Sequence, residues 1–277
     1  MARELWYADG YLLTNTNIRD ISYESSIFDT PAKRGDNSTI AQSHGELWRP
    51  KVYEAGNFTL NMWTFDRTSQ AVAVDLYRDL MRVVHRNLEL VTFERKWDND
   101  TRWYRCKGEV LQTVSPSYNS NRGYRFGIEV HVPGAFWESP SLVTHSTLTS
   151  AALPQSLDLV NHADSNAPMD HFRFAVTGPV TNPRVELYKS GVATGQYWQY
   201  NGTVATGQTL TVDSATWAVT GAGGLTVNEA LLDYTGARYL TVQPRHHTET
   251  APQVRLSGAS GGSGTKLTVT GRSKILA

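Results

Sequence analysis

One stretch of the chain has a helical period, and most of the rest has the two-residue period of strands. Over residues 68–87, Val72, Leu76, Leu80, Val83 and Val84 recur at steps of three and four and form an apolar stripe. Asp75, Arg78, Asp79, Arg82 and Arg86 take the other faces. Asp66 or Thr68 is placed to cap the N-terminus, and Arg82, His85 and Arg86 suit the negative end of the helix dipole. Around this helix, residues 57–63, 88–93 and 124–130 alternate apolar and polar positions and are predicted strands. Residues 96–103 read as a hairpin turn. The first half is therefore predicted to be α+β, with one helix laid on antiparallel sheet.

The second half reads as nearly all strand. Short β-branched runs at 172–176, 185–188, 209–212, 237–242 and 266–270 are bounded by Ser190-Gly191, Asn201-Gly202 and the glycine cluster at 221–224. Such spacing predicts a sandwich or barrel. Residues 257–264, rich in Gly and Ser, read as a flexible loop between the last two strands. Residues 20–56 fit neither period. They hold turn formers, short apolar pieces and the aromatics Phe28, Trp48 and Tyr53, which favour burial. An extended arm that buries its aromatics on a neighbouring subunit fits this pattern.

Composition divides the 277-residue chain in the same way: residues 1–140 hold 35 charged side chains and residues 141–277 hold 17. This step predicts two domains, 1–140 and 141–277, with the join within 139–157. The 26 basic and 26 acidic side chains cancel, which disfavours a dedicated nucleic-acid binder, because such proteins draw affinity from phosphate neutralisation. A single cysteine, Cys106, excludes an intramolecular disulfide and any site of two thiolates, and fits a reducing compartment. No apolar run reaches membrane-span length, and the first residues lack a signal-peptide core.

The search for chemistry yields no constellation with assignable roles. His246 and His247 are adjacent, so on a strand they point to opposite faces and chelate poorly. The glycines at 221–224 precede a strand-like run, not the helix a dinucleotide loop requires. Carboxylate pairs such as Asp98 with Asp100, or Asp158 with Asp164, carry no cleft signal. Cys106 sits in a strand-like run and reads as a buried structural thiol. Neither an enzyme nor a cofactor or metal is expected. Tyr197, Trp198, Tyr200 and Trp217 lie near turns; aromatics on a sandwich face bind sugar, but core and subunit contacts are the favoured reading.

Three groups of residues together resemble the distal tail proteins of long-tailed, non-contractile bacteriophages, the Dit-like family of the tail-tip or baseplate hub. The first is Pro31-Ala32-Lys33-Arg34-Gly35-Asp36-Asn37 followed by His44-Gly45-Glu46-Leu47-Trp48 and Pro50-Lys51, similar to the family's Arg-Gly…Gly-Glu stretch. The second is a strand ending in Met62-Trp63 that leads into the helix holding Leu80. The third is the run 176–183, then 202–210, similar to the start of the family's C-terminal sandwich.

The resemblance implies a mainly β virion protein. A tail-tube-like first domain would close a homo-hexameric ring through the arm at 20–56, with Arg34, Gly35, Gly45, Glu46 and Trp48 at the subunit interface. The second domain would be a galectin-like β-sandwich. The ring would join the tail tube protein to the tail-tip hub protein, with the tape measure protein as a further partner. DNA would pass through a central channel without specific binding, and assembly would occur in the host bacterial cytoplasm. A neutral chain suits such a conduit, since a strongly basic lumen would hold DNA. Two rivals remain open: a carbohydrate-binding sandwich used in host attachment, and a tail tube subunit.

Overall fold

The helical period becomes α1 (Gln70–Val84) in the computed structural model, which describes residues 4–14, 18–20, 30–35, 38–39, 46–47, 52–65, 69–86, 88–97, 103–119, 123–150, 152–162, 165–234, 240–245 and 249–276. The buried line of α1 is Ala73, Leu80 and Val84, whereas Val72 is 42% exposed and Leu76 and Val83 are half-buried. The apolar stripe is thus turned by one position at its start, where Ala73 rather than Val72 is buried. Ser69 is the N-cap, without a side-chain cap bond. Asp66 and Thr68 lie outside the described residues.

The fold is mainly β, and the chain divides into two compact units at Pro140/Ser141. The first unit contains β1 (Glu4–Ala8), β2 (Tyr11–Leu12), β3 (Ile18–Asp20), β4 (Lys33–Arg34), β5 (Ser38–Thr39), β6 (Glu46–Leu47), β7 (Val52–Tyr53), β8 (Gly56–Phe65), β9 (Val91–Trp97), β10 (Trp103–Asn119), β11 (Gly123–Val132) and β12 (Trp137–Glu138). Its main sheet is antiparallel, in the order β2-β1-β9-β10-β11-β8-β3. The predicted strand at 88–93 begins only at Val91; Leu88 and Leu90 precede it and are exposed.

Aromatic packing holds this sheet. Trp6 meets Trp137 edge-on at 5.7 Å, and Phe58 meets Phe93 at 5.7 Å and Trp137 at 5.5 Å between ring centroids. Tyr77 of α1 seats the helix on β11 through Phe126 at 5.0 Å and Tyr124 at 5.7 Å. Arg95 is buried with its guanidinium 4.7 Å from the Trp137 ring. Cys106 is buried on β10; burial pushes its thiol up, with Arg95 opposing and Glu138 adding to the shift. A thiol held protonated in this way is unreactive, in keeping with the structural reading.

The second unit contains β13 (Val143–Ser146), β14 (Gln155–Asp158), β15 (Arg173–Thr177), β16 (Val180–Thr181), β17 (Arg184–Lys189), β18 (Val192–Tyr200), β19 (Thr203–Val204), β20 (Thr209–Asp213), β21 (Val219–Ala222), β22 (Leu232–Tyr234), β23 (Gln253–Ser257), β24 (Ser260–Gly261) and β25 (Lys266–Gly271). Two five-stranded antiparallel sheets, β13-β25-β15-β20-β21 and β14-β23-β17-β18-β22, enclose one core and make a sandwich rather than a barrel. Register sets Phe174 between Val212 and Val269, all fully buried, and strict alternation along β20, β23 and β25 sends the intervening residues outward. Trp198 and Tyr200 belong to this core, as the favoured reading had it.

Two expectations for this half need correction. The run at 237–242 is not a strand where it is described: Val242 makes an isolated bridge to Met169, and residues 235–239 lie outside the described residues. The Gly/Ser segment at 257–264 is not a free loop, because β24 within it pairs with β16, which also pairs with β19. Its glycines serve close packing: a Cβ on Gly262 would overlap Pro179, and one on Gly258 would lie 2.9 Å from the Thr181 carbonyl oxygen. Gly178 is tighter still, since a Cβ there would overlap the carbonyl oxygens of Val204 and Ala205. Backbone atoms held in a ladder cannot give way, so Gly178→Ala should cost about 2–3 kcal/mol in equilibrium urea unfolding. Gly134→Ala, where a Cβ meets nothing within 4 Å, should stay within about 0.5 kcal/mol of the parent.

Candidate assembly surfaces

Within the segment at 20–56 the described residues include two short ladders. β4 pairs with β7 (Lys33↔Tyr53, Arg34↔Val52), and β5 pairs with β6 (Ser38↔Leu47, Thr39↔Glu46). The two ladders are nested, the order of a β-hairpin. Pairings of two residues each leave no run long enough to read as alternation.

The base of the hairpin is fixed on the first unit. Glu54 donates its backbone N–H to the Ala32 carbonyl at 2.8 Å, and Tyr53 packs edge-on against Phe136 at 5.1 Å. The Lys33 ammonium lies 5.3 Å from the Tyr53 ring centroid. Arg34 and Gly35 are exposed, and Gly35 has φ +130°, a conformation that glycine adopts without strain. Glu46 is placed by its backbone in β6, while its side chain, Gly45 and Trp48 lie outside the described residues. Arg34 therefore stands in the β4–β7 ladder with Gly35 directly after it, Glu46 stands in the β5–β6 ladder, and the partners of Trp48 are not among the described contacts.

Three exposed leucines on the first unit escaped the sequence reading. Leu88 is 96% exposed, Leu90 43% and Leu111 56%. Leu111 stands where the β10–β11 register shifts between Val110 and Gln112, so it leaves the alternation that would have buried it. No sequence signal marks a bulge of this kind. β10 also outruns its neighbour: β9 pairs with it only as far as Gly108, so among the described residues 109–119 are paired on one side only. A second register shift, between Val114 and Ser117, falls on the same stretch. Exposed leucines and an open strand edge are features that monomers usually suppress.

Among the described residues no three of His, Cys, Asp and Glu converge to hold a metal ion, and His246 and His247 lie outside the described residues. Of the turn-proximal aromatics, Trp217 stacks on Tyr234 at 4.5 Å and Tyr197 lies under the Arg184 guanidinium at 3.6 Å. No described helix is long and apolar enough to cross a membrane.

No family model and no curated protein matches the chain. Solved structures do. The baseplate of phage P2 in its activated conformation with calcium contains a chain that aligns over 98% of both sequences, at 11% identity and a TM-score of 0.47. The Dit protein (gp 19.1) of SPP1 is presented as a paradigm of the hub adsorption apparatus in phages that infect Gram-positive bacteria. It aligns with 97% of this chain and 98% of its own, at 14% identity and a TM-score of 0.63. Over nearly its whole length, across both units, the chain therefore has the fold of the SPP1 Dit protein.

Proposed function

We propose that this chain is a distal tail protein: a structural subunit that forms a hexameric ring at the end of a long, non-contractile phage tail and joins the tail tube to the tail-tip hub around a channel for DNA. The observation that carries this reading is the end-to-end match in fold to SPP1 Dit, which includes the second unit and leaves almost nothing of either chain unaligned. The stretch of β10 that pairs on one side only among the described residues, and the exposed Leu88, Leu90 and Leu111, support self-association through the first unit. A closed ring needs a heterologous contact, two different patches of one subunit, and the paired strands β4–β7 and β5–β6 would supply one of them. The second unit is read as a galectin-like sandwich, and the tail tube, hub and tape measure proteins as the partners. A tail tube subunit would also form rings, but the second sandwich unit speaks for a tail-tip position.

Sedimentation over a concentration series tests the ring. The expected species has about six times the 30.8 kDa mass of the chain, and a monomer at tens of micromolar would count against it. Trp48→Ala should weaken assembly by roughly 2 kcal/mol or more per contact while circular dichroism and melting stay unchanged. A variant that unfolds, or one that assembles with unaltered affinity, would remove Trp48 from the interface.

A further inference from the structure

We propose that a hollow on the outer face of the β14-β23-β17-β18-β22 sheet seats a carboxylate side chain of a partner polypeptide, with Arg255 as the group that receives it. The hollow has a volume of about 200 Å³ and is lined by Leu153, Pro154, Glu186, Tyr188, Arg255 and Ser257. Strand alternation builds it. Val185, Leu187, Val254 and Leu256 point into the core, so Glu186, Tyr188, Arg255 and Ser257 point out, and register sets Glu186 directly across from Arg255. Pockets for whole small molecules usually run from roughly 300 to 1,000 Å³, so this one suits a single side chain.

The charges of this face pair off and leave one over. Glu186 Oε1 accepts from Arg184 Nη2 at 3.3 Å, and Arg184 lies on Tyr197 with its guanidinium 3.6 Å from the ring centroid. Asp158 accepts from Gln253 Nε2 at 2.7 Å, and Asp233 stands on β22, three strands away from Arg255. Arg255 has no ion-pair partner among the described residues, although Glu186 is its cross-strand neighbour. Its one hydrogen bond there runs from Nη1 to the Tyr188 phenolic oxygen at 3.4 Å, its guanidinium lies 5.4 Å from that ring's centroid, and Nε is buried without a partner. Tyr188 thus fixes where the guanidinium sits, and most of its five donors stay unspent.

This balance selects the ligand class. Glu186 alone would cancel Arg255 and leave the hollow indifferent to charge, but Arg184 already answers Glu186. Two guanidiniums against one carboxylate favour an anion, and a single surplus charge suits a monoanion better than a phosphate dianion, whose second charge would face Glu186 uncompensated. A carboxylate also matches the planar fork of Arg, which meets its two oxygens with parallel bonds. Leu153 and Pro154 offer an apolar wall to the methylene stem of a Glu or Asp side chain.

The proposal does not depend on ring formation. It is tested on the full-length protein by methyl NMR, with Leu153 on the wall of the hollow as the reporter. The probes are propionate, its neutral isostere propionamide, propylammonium, inorganic phosphate, and a capped Gly-Glu-Gly peptide set against its Gln counterpart. Propionate and the Glu peptide are expected to shift the Leu153 methyl signals with a Kd of about 5 mM, and the neutral and cationic probes to leave them in place. Arg255→Gln should weaken propionate binding about tenfold or more, whereas Glu186→Gln, which removes the opposing charge, should tighten it about threefold or more. A hollow filled for its size alone would respond to neither change. Where Arg255→Gln fails to fold, Glu186→Gln alone decides. No shift at about 50 mM propionate, equal binding of propionamide, phosphate bound more tightly than propionate, a Glu peptide no better than its Gln counterpart, or affinity unchanged in Glu186→Gln would each overturn the proposal.

Discussion

Trp198→Ala should cost the second unit about 3–5 kcal/mol, a large share of the roughly 5–15 kcal/mol a domain holds. Trp198 is fully buried in β18, packs 6.4 Å from Phe174 between ring centroids, and belongs to the one apolar cluster shared by both sheets. Its truncation leaves a cavity that neighbouring strands, pinned by ladder bonds, cannot collapse to fill. Trp198→Phe should cost less than half as much. It keeps most of the ring contact, and it deletes an indole N–H that has no hydrogen-bond partner among the described residues and so carries a desolvation cost already. Hydrogen exchange localises the effect: amides of β15, β20 and β25 should lose protection in Trp198→Ala while those of β8 and β11 retain it. Equal loss in both units would mean that the two cores do not unfold separately.

Acid should destabilise the second unit well before its carboxylates are all protonated. His145 on β13 and His162 are buried, with Nε2 of the first 2.9 Å from Nδ1 of the second, and Phe172 packs on His162 at 5.3 Å. Burial is the main reason that His162 is held down to about 4, and a charge on His145 lowers it further. Burial also lowers His145. A folded state that resists protonation is favoured above the unfolded-state value of about 6.5 and loses that advantage as pH falls from about 6.5 toward 4. At 1.36 kcal/mol per pH unit, His162 contributes at most about 3 kcal/mol across this window. Urea unfolding at steps between pH 7 and pH 4 should show the decline. His162→Phe should flatten it, whatever the variant's stability at pH 7, because the group that takes up the proton in the unfolded chain is gone. A slope unchanged in His162→Phe would assign the acid sensitivity to other groups.

Much of the architecture was legible because one-dimensional period is a direct image of local geometry. The strand at 57–63 emerged as β8, those at 124–130 and 209–212 as β11 and β20, and 68–87 as α1, since burial on one face writes itself into the sequence as period two or 3.6. The buried states of Cys106, Trp198 and Tyr200 were readable on the same ground. A lone cysteine also settled that this chain can form neither an internal disulfide nor a site of two thiolates, for that depends on composition alone.

What only the tertiary structure decided depends on which strands meet and in what register. The pairings of Lys33–Arg34 with Val52–Tyr53 and of Ser38–Thr39 with Glu46–Leu47 are ladders of two residues each, and backbone bonds over so short a run leave no residue pattern. Leu111 is exposed because a register shift in β10 breaks the alternation there, and Leu88 because β9 starts three residues after it. The Gly/Ser segment looks flexible by composition, yet its small residues are there because Pro179 and the Thr181 carbonyl approach too closely for a Cβ. The Glu186–Arg255 juxtaposition joins residues 69 positions apart through the pairing of β17 with β23. Period reports which side of a strand faces the core; only pairing reports which residues stand beside one another, and binding and assembly are built from that second kind of information.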